Sequence, residues 1–105
     1  MTIDLTYVEL YIEKHLPDIS DAEMVAEELG YSYHTLRQSF RNQKQKTLGQ
    51  YISIRRVERA KMLLYQTQMT CYQICDAVGW SGENSGARVF KRFTGMTMGE
   101  YRHQM

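Results

Sequence analysis

The chain has 105 residues, 43% of them hydrophobic and 24% charged, with a net charge of +1. That length suits one compact domain or two small units sharing a core; no run of about 20 apolar residues offers a membrane span, and the opening Met1-Thr2-Ile3-Asp4 does not resemble a secretory signal. The near-neutral total hides a division: residues 1–30 carry one base (Lys14) against eight acids, a balance of −7, and residues 31–105 carry twelve bases against four acids, a balance of +8.

Val8, Tyr11, Ile12 and Leu16 recur at helical spacing and predict a helix over about 5–16, which Pro17 ends. Ser20 followed by Glu23 reads as a capping box opening a second helix, with Ala22, Val25, Ala26 and Leu29 on one face and Gly30 placed to close it. Ser32 then caps a third helix running to about Gln43, with Leu36 and Phe40 inward. Gln43-Lys44-Gln45-Lys46 reads as a polar, basic loop. The fourth helix is the longest, about 48–65, with Tyr51, Ile52, Val57, Ala60, Leu63 and Leu64 inward; at 1.5 Å per residue it is on the order of 27 Å long. A fifth helix spans about 71–78 and is closed by Gly79. Ser81 begins a sixth, running to about Thr94, and a seventh covers about 98–103. No strand signal survives, so the expected fold is all-α with about seven helices.

The chain contains itself twice. Val25-Ala26-Glu27-Glu28-Leu29-Gly30-Tyr31-Ser32 returns as Ile74-Cys75-Asp76-Ala77-Val78-Gly79-Trp80-Ser81, Phe40-Arg41 as Phe90-Lys91, and Thr47-Leu48-Gly49-Gln50-Tyr51 as Thr97-Met98-Gly99-Glu100-Tyr101. Each copy reads helix, glycine-aromatic turn, helix. Two helix–turn–helix subdomains follow, 1–47 and 67–105, joined by a connecting helix over 48–66. Such a pair suits two successive major-groove segments of double-stranded DNA, about 34 Å apart, bound by a monomer because the internal repeat replaces a dimer.

A recognition helix buries one face and offers the other to the groove. In the first copy, Leu36 and Phe40 fix the buried face, which leaves Tyr33, His34, Arg37 and Gln38 for base edges: Arg37 suits guanine and Gln38 adenine. Arg41 lies farther along and suits phosphate. In the second copy, Val89, Phe90 and Phe93 mark the buried side, leaving Glu83, Asn84, Ser85 and Arg88 for bases and Lys91 for phosphate. Glu83 either accepts from a cytosine amino group or serves the helix N-terminus. Lys44, Lys46, Arg55, Arg92 and Arg102 are further phosphate candidates. Of Arg55, Arg56 and Arg59, some are expected in structural ion pairs.

Cys71 and Cys75 suit a reducing, cytoplasmic setting and a helix face better than a disulfide scaffold. Cys75 replaces the inward Ala26, so a small core residue is its expected role. His15, His34 and His103 show no metal-ligand spacing. No cofactor is implied, and no nucleophile–base pair, paired carboxylates or phosphate loop points to an enzyme.

Val78-Gly79-Trp80-Ser81, then Arg88-Val89-Phe90-Lys91-Arg92-Phe93-Thr94-Gly95-Met96-Thr97 and Tyr101-Arg102, resemble the signature of the AraC/XylS family. Arg56-Val57-Glu58-Arg59-Ala60-Lys61-Met62-Leu63-Leu64 resembles that family's connecting helix, and Tyr11-Ile12-Glu13-Lys14-His15-Leu16 its opening. The resemblance implies a bacterial transcription regulator, usually an activator, working with RNA polymerase. The chain has no room for the sensing domain most members carry, so it is similar to short stand-alone members or to the DNA-binding domain of a longer one; Met1 favours the former. Two departures stand out: the family usually has Pro where Met98 stands, and a bulky apolar residue where Gly86 stands. Gly82 adds a second glycine in the same helix. Each interior glycine costs roughly 1 kcal/mol relative to Ala. The space beside Gly86 is therefore either empty or filled by a neighbour such as Trp80 or Phe93. The acidic N-terminal face and a weakened second recognition helix motivate the alternative function, a helical interaction module that binds polymerase, another regulator or itself.

Overall fold

The computed structural model describes residues 3–104. Among them, α-helices are the only regular elements besides a single 3₁₀ turn: α1 (Leu5–His15), the 3₁₀ turn Leu16–Asp18, α2 (Ala22–Leu29), α3 (Tyr33–Lys44), α4 (Leu48–Gln66), α5 (Cys71–Val78), α6 (Glu83–Thr94) and α7 (Met98–His103). The chain divides into two compact units, residues 1–52 and 53–105. The division falls inside α4, whose first turns belong to one unit and whose remainder belongs to the other.

The first unit closes around Leu5, Val8 and Ile12 of α1, Leu16, Ile19, Val25 and Ala26, Leu36 and Phe40 of α3, and Leu48 and Ile52 of α4. Each valine, leucine, isoleucine or phenylalanine among them contributes roughly 1.5–3 kcal/mol on full burial. Phe40 meets Tyr51 edge-on at 5.2 Å. The second unit repeats the plan with Val57, Ala60 and Leu64 of α4, Ile74, Cys75 and Val78 of α5, Trp80, Phe90 and Met98, and Phe90 meets Tyr101 edge-on at 5.6 Å.

The helix ends explain the boundaries. Gly30 and Gly79 adopt left-handed φ of 78° and 96°, a region costly for residues with a Cβ. Each is followed by an aromatic whose N–H donates back into the helix, Tyr31 to the Ala26 carbonyl and Trp80 to the Cys75 carbonyl, both at 2.9 Å. This is the Schellman closure, and it fixes where the next helix departs. Thr70 and Thr97 open α5 and α7 with reciprocal capping boxes to Gln73 and Glu100. The Thr97 backbone N–H, then its hydroxyl, hold the Glu100 carboxyl below its ordinary range, helped by Lys91.

Four sequence expectations are corrected. Asp21, not Ser20, caps α2: its carboxylate accepts from the Met24 N–H at 2.9 Å, while the Ser20 hydroxyl turns to the Met24 sulfur. Gln43 and Lys44 belong to the last turn of α3 rather than to a loop. Helix α6 starts at Glu83, so Gly82 is its N-cap in extended backbone and carries no interior-helix penalty. Phe93 is 43% exposed; it sits one turn beyond Phe90, past the edge of the core.

Candidate nucleic-acid interface

Helices α3 and α6 are built alike. Both have twelve residues, and both follow an eight-residue helix and a left-handed glycine. From Tyr33 and Glu83 onward the two copies run in register at an offset of 50, whereas α2 and α5 are offset by 49. The extra residue of the second copy lies in the Ser81-Gly82 turn, outside both helices.

On α3, Leu36 and Phe40 are fully buried and His34, Thr35, Arg37, Gln38, Arg41 and Asn42 are exposed. Tyr33 is half-buried, packed against the first core. The Arg37 guanidinium carbon lies 6.0 Å from the centre of the Tyr33 ring, one helical turn away, so the ring steadies the arginine at the outer limit of a cation–π contact. Arg37, Gln38, Arg41, Asn42 and Thr47 line an open groove of about 390 Å³. Its donors suit the acceptors of a nucleic-acid edge and backbone. Thr35 and Asn42 are absent from the sequence-based set although they share this exposed face; both follow from the same periodicity that selected Arg37.

On α6, Gly86 and Phe90 are buried and Glu83, Asn84, Ser85, Ala87, Arg88, Lys91 and Arg92 are exposed. The Gly86 space is filled: a Cβ there would stand 2.5 Å from the Cys75 sulfur and 2.7 Å from Trp80 Cε3. Trp80 is a filler named from sequence, and Cys75 is its partner, the two supplying the three nearest atoms. Burial, with Glu83 and Cys71 adding, pushes the Cys75 thiol up to about 11, as expected of a neutral core thiol. Glu83 stands in the first turn of a helix that lacks a side-chain cap, where a carboxylate complements the dipole.

The remaining basic candidates divide by what they touch. The Lys44 ammonium pairs with Glu9 at 3.0 Å, and the Gln43 amide donates to the Ile3 carbonyl at 3.2 Å; together they tie the end of α3 to the N-terminal segment and α1. Lys46 is half-buried in the α3–α4 turn, and Arg55 is half-buried on α4. Arg102 is tied to the fold, donating to the Leu64 carbonyl at 3.1 Å and the Thr67 carbonyl at 3.3 Å. Arg56 donates to the Val78 carbonyl at 2.9 Å, and burial lowers its pKa. Both arginines satisfy carbonyls left open at a helix end. Cys71 and Cys75 are free thiols, and among the described residues no helix is long and apolar enough to cross a membrane.

Two helix–turn–helix units, each holding a polar twelve-residue helix on a buried Phe, define a tandem helix–turn–helix domain. Residues 25–104 match the helix-turn-helix domain family. The chain is 32% identical over 95 residues to the regulatory protein SoxS of Salmonella typhimurium, covering 90% of this chain and 89% of that one. It is similar to the crystal structure of an AraC-type transcriptional regulator from Chromobacterium violaceum, at 25% identity and a TM-score of 0.85 over 95% of this chain and 89% of that one. It also shares the fold of the DNA-binding domain of AdpA, solved with a target DNA, at 23% identity and a TM-score of 0.89 over 95% and 90%. The chain belongs to the AraC family of helix–turn–helix DNA-binding transcription regulators.

Proposed function

We propose that the chain is a sequence-specific activator that binds an asymmetric site as a monomer, with α3 and α6 in successive major-groove segments of double-stranded DNA. The observation that carries this is the register of α3 and α6: one chain holds two equal reading helices, each with exposed groups able to read base edges. Base readout is assigned to Tyr33, His34, Arg37 and Gln38 in the first head and Glu83, Asn84, Ser85 and Arg88 in the second. Phosphate contact is assigned to Arg41, Lys46, Arg55, Lys91 and Arg92, with Lys44 available on release from Glu9. The family's usual role supports activation in the cytoplasm with RNA polymerase as protein partner, and the DNA held by the AdpA domain supports double-stranded DNA as ligand.

The interaction-module alternative drew on the acidic N-terminal face and an apparently weakened second head. The packing of Cys75 and Trp80 against Gly86 weakens the second of these motives. A salt titration of duplex binding tests the reading. With on the order of 5–8 phosphate contacts, the log–log slope of affinity against salt is expected at about −4 to −7. A flat response, or no binding to duplex at low salt, would overturn it.

A further inference from the structure

At one outward position the second head carries a residue that no contact assignment yet covers. Arg37 of α3 and Ala87 of α6 occupy the same place in helices that run in register, each directly after the buried anchor, Leu36 or Gly86. Both are exposed. The first head thus offers a five-donor guanidinium where the second offers a single methyl group. Around Ala87, one turn before and after, stand Glu83, Asn84, Arg88 and Lys91, all exposed and all polar. Ala87 is the apolar point in a polar reading face.

Resting on the DNA-binding reading above, we propose that Ala87 is a specificity-determining residue that packs against the C5-methyl group of a pyrimidine, thymine in ordinary DNA, in the half-site of the second head. The chemistry leaves few alternatives. Alanine has no donor or acceptor in its side chain, so it contributes nothing to the hydrogen-bond code of the major groove. The one apolar group that the bases present there is the thymine methyl. A short side chain also lets that stretch of α6 approach the base edges more closely than a long arginine permits, which favours a van der Waals contact because a gap of about 0.5–1 Å already forfeits a quarter to a half of its attraction. The two half-sites are therefore chemically unlike: the Arg37 position of the first favours a guanine, and the Ala87 position of the second favours a thymine.

Single-group substitution in the DNA tests this. A duplex is selected from random sequence by the full chain, and each thymine of the second half-site is replaced in turn by deoxyuridine, which removes only the methyl. Loss of one buried methyl is expected to weaken binding about three- to fivefold at one position. Placing 5-methylcytosine against cytosine at that position distinguishes the sources of the methyl: a gain from either methylated base supports the contact, and a gain from thymine alone assigns it to thymine. In Ala87→Gly the thymine-to-uracil ratio is expected to fall towards one. Because each variant is compared with itself on two DNAs, a loss of fold cannot mimic that result. A selected site with no methyl-sensitive position, or a sensitivity that persists in Ala87→Gly, would overturn the assignment of Ala87 alone. Failure to select any sequence would overturn the DNA-binding reading and this inference with it.

Discussion

Replacing Gly86 by leucine, the residue that the first copy carries at the corresponding place as Leu36, is expected to destabilise the second unit. The helix-propensity term favours the change, by roughly 1 kcal/mol for removing an interior glycine. Packing opposes it. An added Cβ would lie 2.5 Å from the Cys75 sulfur and 2.7 Å from Trp80 Cε3, about 1 Å inside ordinary carbon contact distances. Neither neighbour yields cheaply. Cys75 is buried on α5 and Trp80 is only 8% exposed, and the Trp80 backbone is pinned by its bond to the Cys75 carbonyl. Overpacking of this kind costs about 1–3 kcal/mol or more, so Gly86→Ala should come out level to about 2 kcal/mol less stable, and Gly86→Leu clearly worse. Urea unfolding followed by Trp80 fluorescence reports on this unit directly. The companion experiment adds room: with Cys75→Ala and Trp80→Tyr, the residues of the first copy, Gly86→Leu should turn from destabilising to stabilising, followed by helical circular dichroism because that background has no tryptophan. A Gly86→Leu single variant more stable than the parent would refute the reasoning, because it would mean that the space is empty.

Arg37→Ala is expected to cost roughly 1–3 kcal/mol of specific binding and to relax preference at one base pair, whereas Lys46→Ala should weaken all sequences about equally; an unchanged selected motif in Arg37→Ala would show that α3 is read in the wrong register. Gln45 ends α3 at φ 63°, where the second copy has Gly95 at φ 79°; relief of left-handed strain outweighs the extra chain entropy of glycine, so Gln45→Gly should stabilise the first unit by about 0.5–1 kcal/mol in a thermal melt, and a lowered midpoint would contradict this. The Cys75 thiol, raised from an ordinary value of 9.0 to about 11, is the more acidic in the unfolded chain. Its stabilising contribution is full below pH 9 and is lost as the pH rises towards 11. Accordingly, in Cys71→Ser, thiol modification of Cys75 at pH 8 should follow unfolding, and rapid labelling of the folded chain would count against a buried neutral thiol.

Much of the fold was legible because the chain states it twice. The glycine-aromatic turns mark two Schellman closures, and Phe40 and Phe90 mark the buried stripes of α3 and α6. What escaped the sequence was either a choice between equivalent neighbours or a contact across the chain. Ser20 and Asp21 are both competent caps, and the register of α2 decided between them. Phe93 fits helical spacing with Phe90, yet the core ends before it; periodicity gives a direction but not the reach of the neighbours. Arg102 reads as a phosphate candidate, and nothing in the sequence signals that α7 also brings it to the carbonyls of Leu64 and Thr67, 38 and 35 residues away. The outward places of Thr35, Asn42 and Ala87 were implied by the buried anchors, but a small or neutral side chain draws no notice beside arginine.

The departure at Gly86 is best understood as one member of a set of three. Aligning the copies through their helices pairs Ala26 with Cys75, Tyr31 with Trp80, and Leu36 with Gly86. At the first two places the second copy is larger; at the third it is smaller. The two enlarged residues are the ones whose atoms fill the place of the missing side chain. The added atoms of Cys75 and Trp80 offset part of the volume lost between Leu36 and Gly86 and close the space against α6. A head that had lost its role would be expected to lose the anchor without compensation, leaving a cavity and a frayed α6. Instead α6 matches α3 residue for residue in length, buries Phe90 completely, and closes at Gly95, whose N–H donates to the Lys91 carbonyl at 2.7 Å. The second helix is thus held by a different arrangement of packing, with Cys75 and Trp80 against Gly86 where the first copy has a leucine anchor.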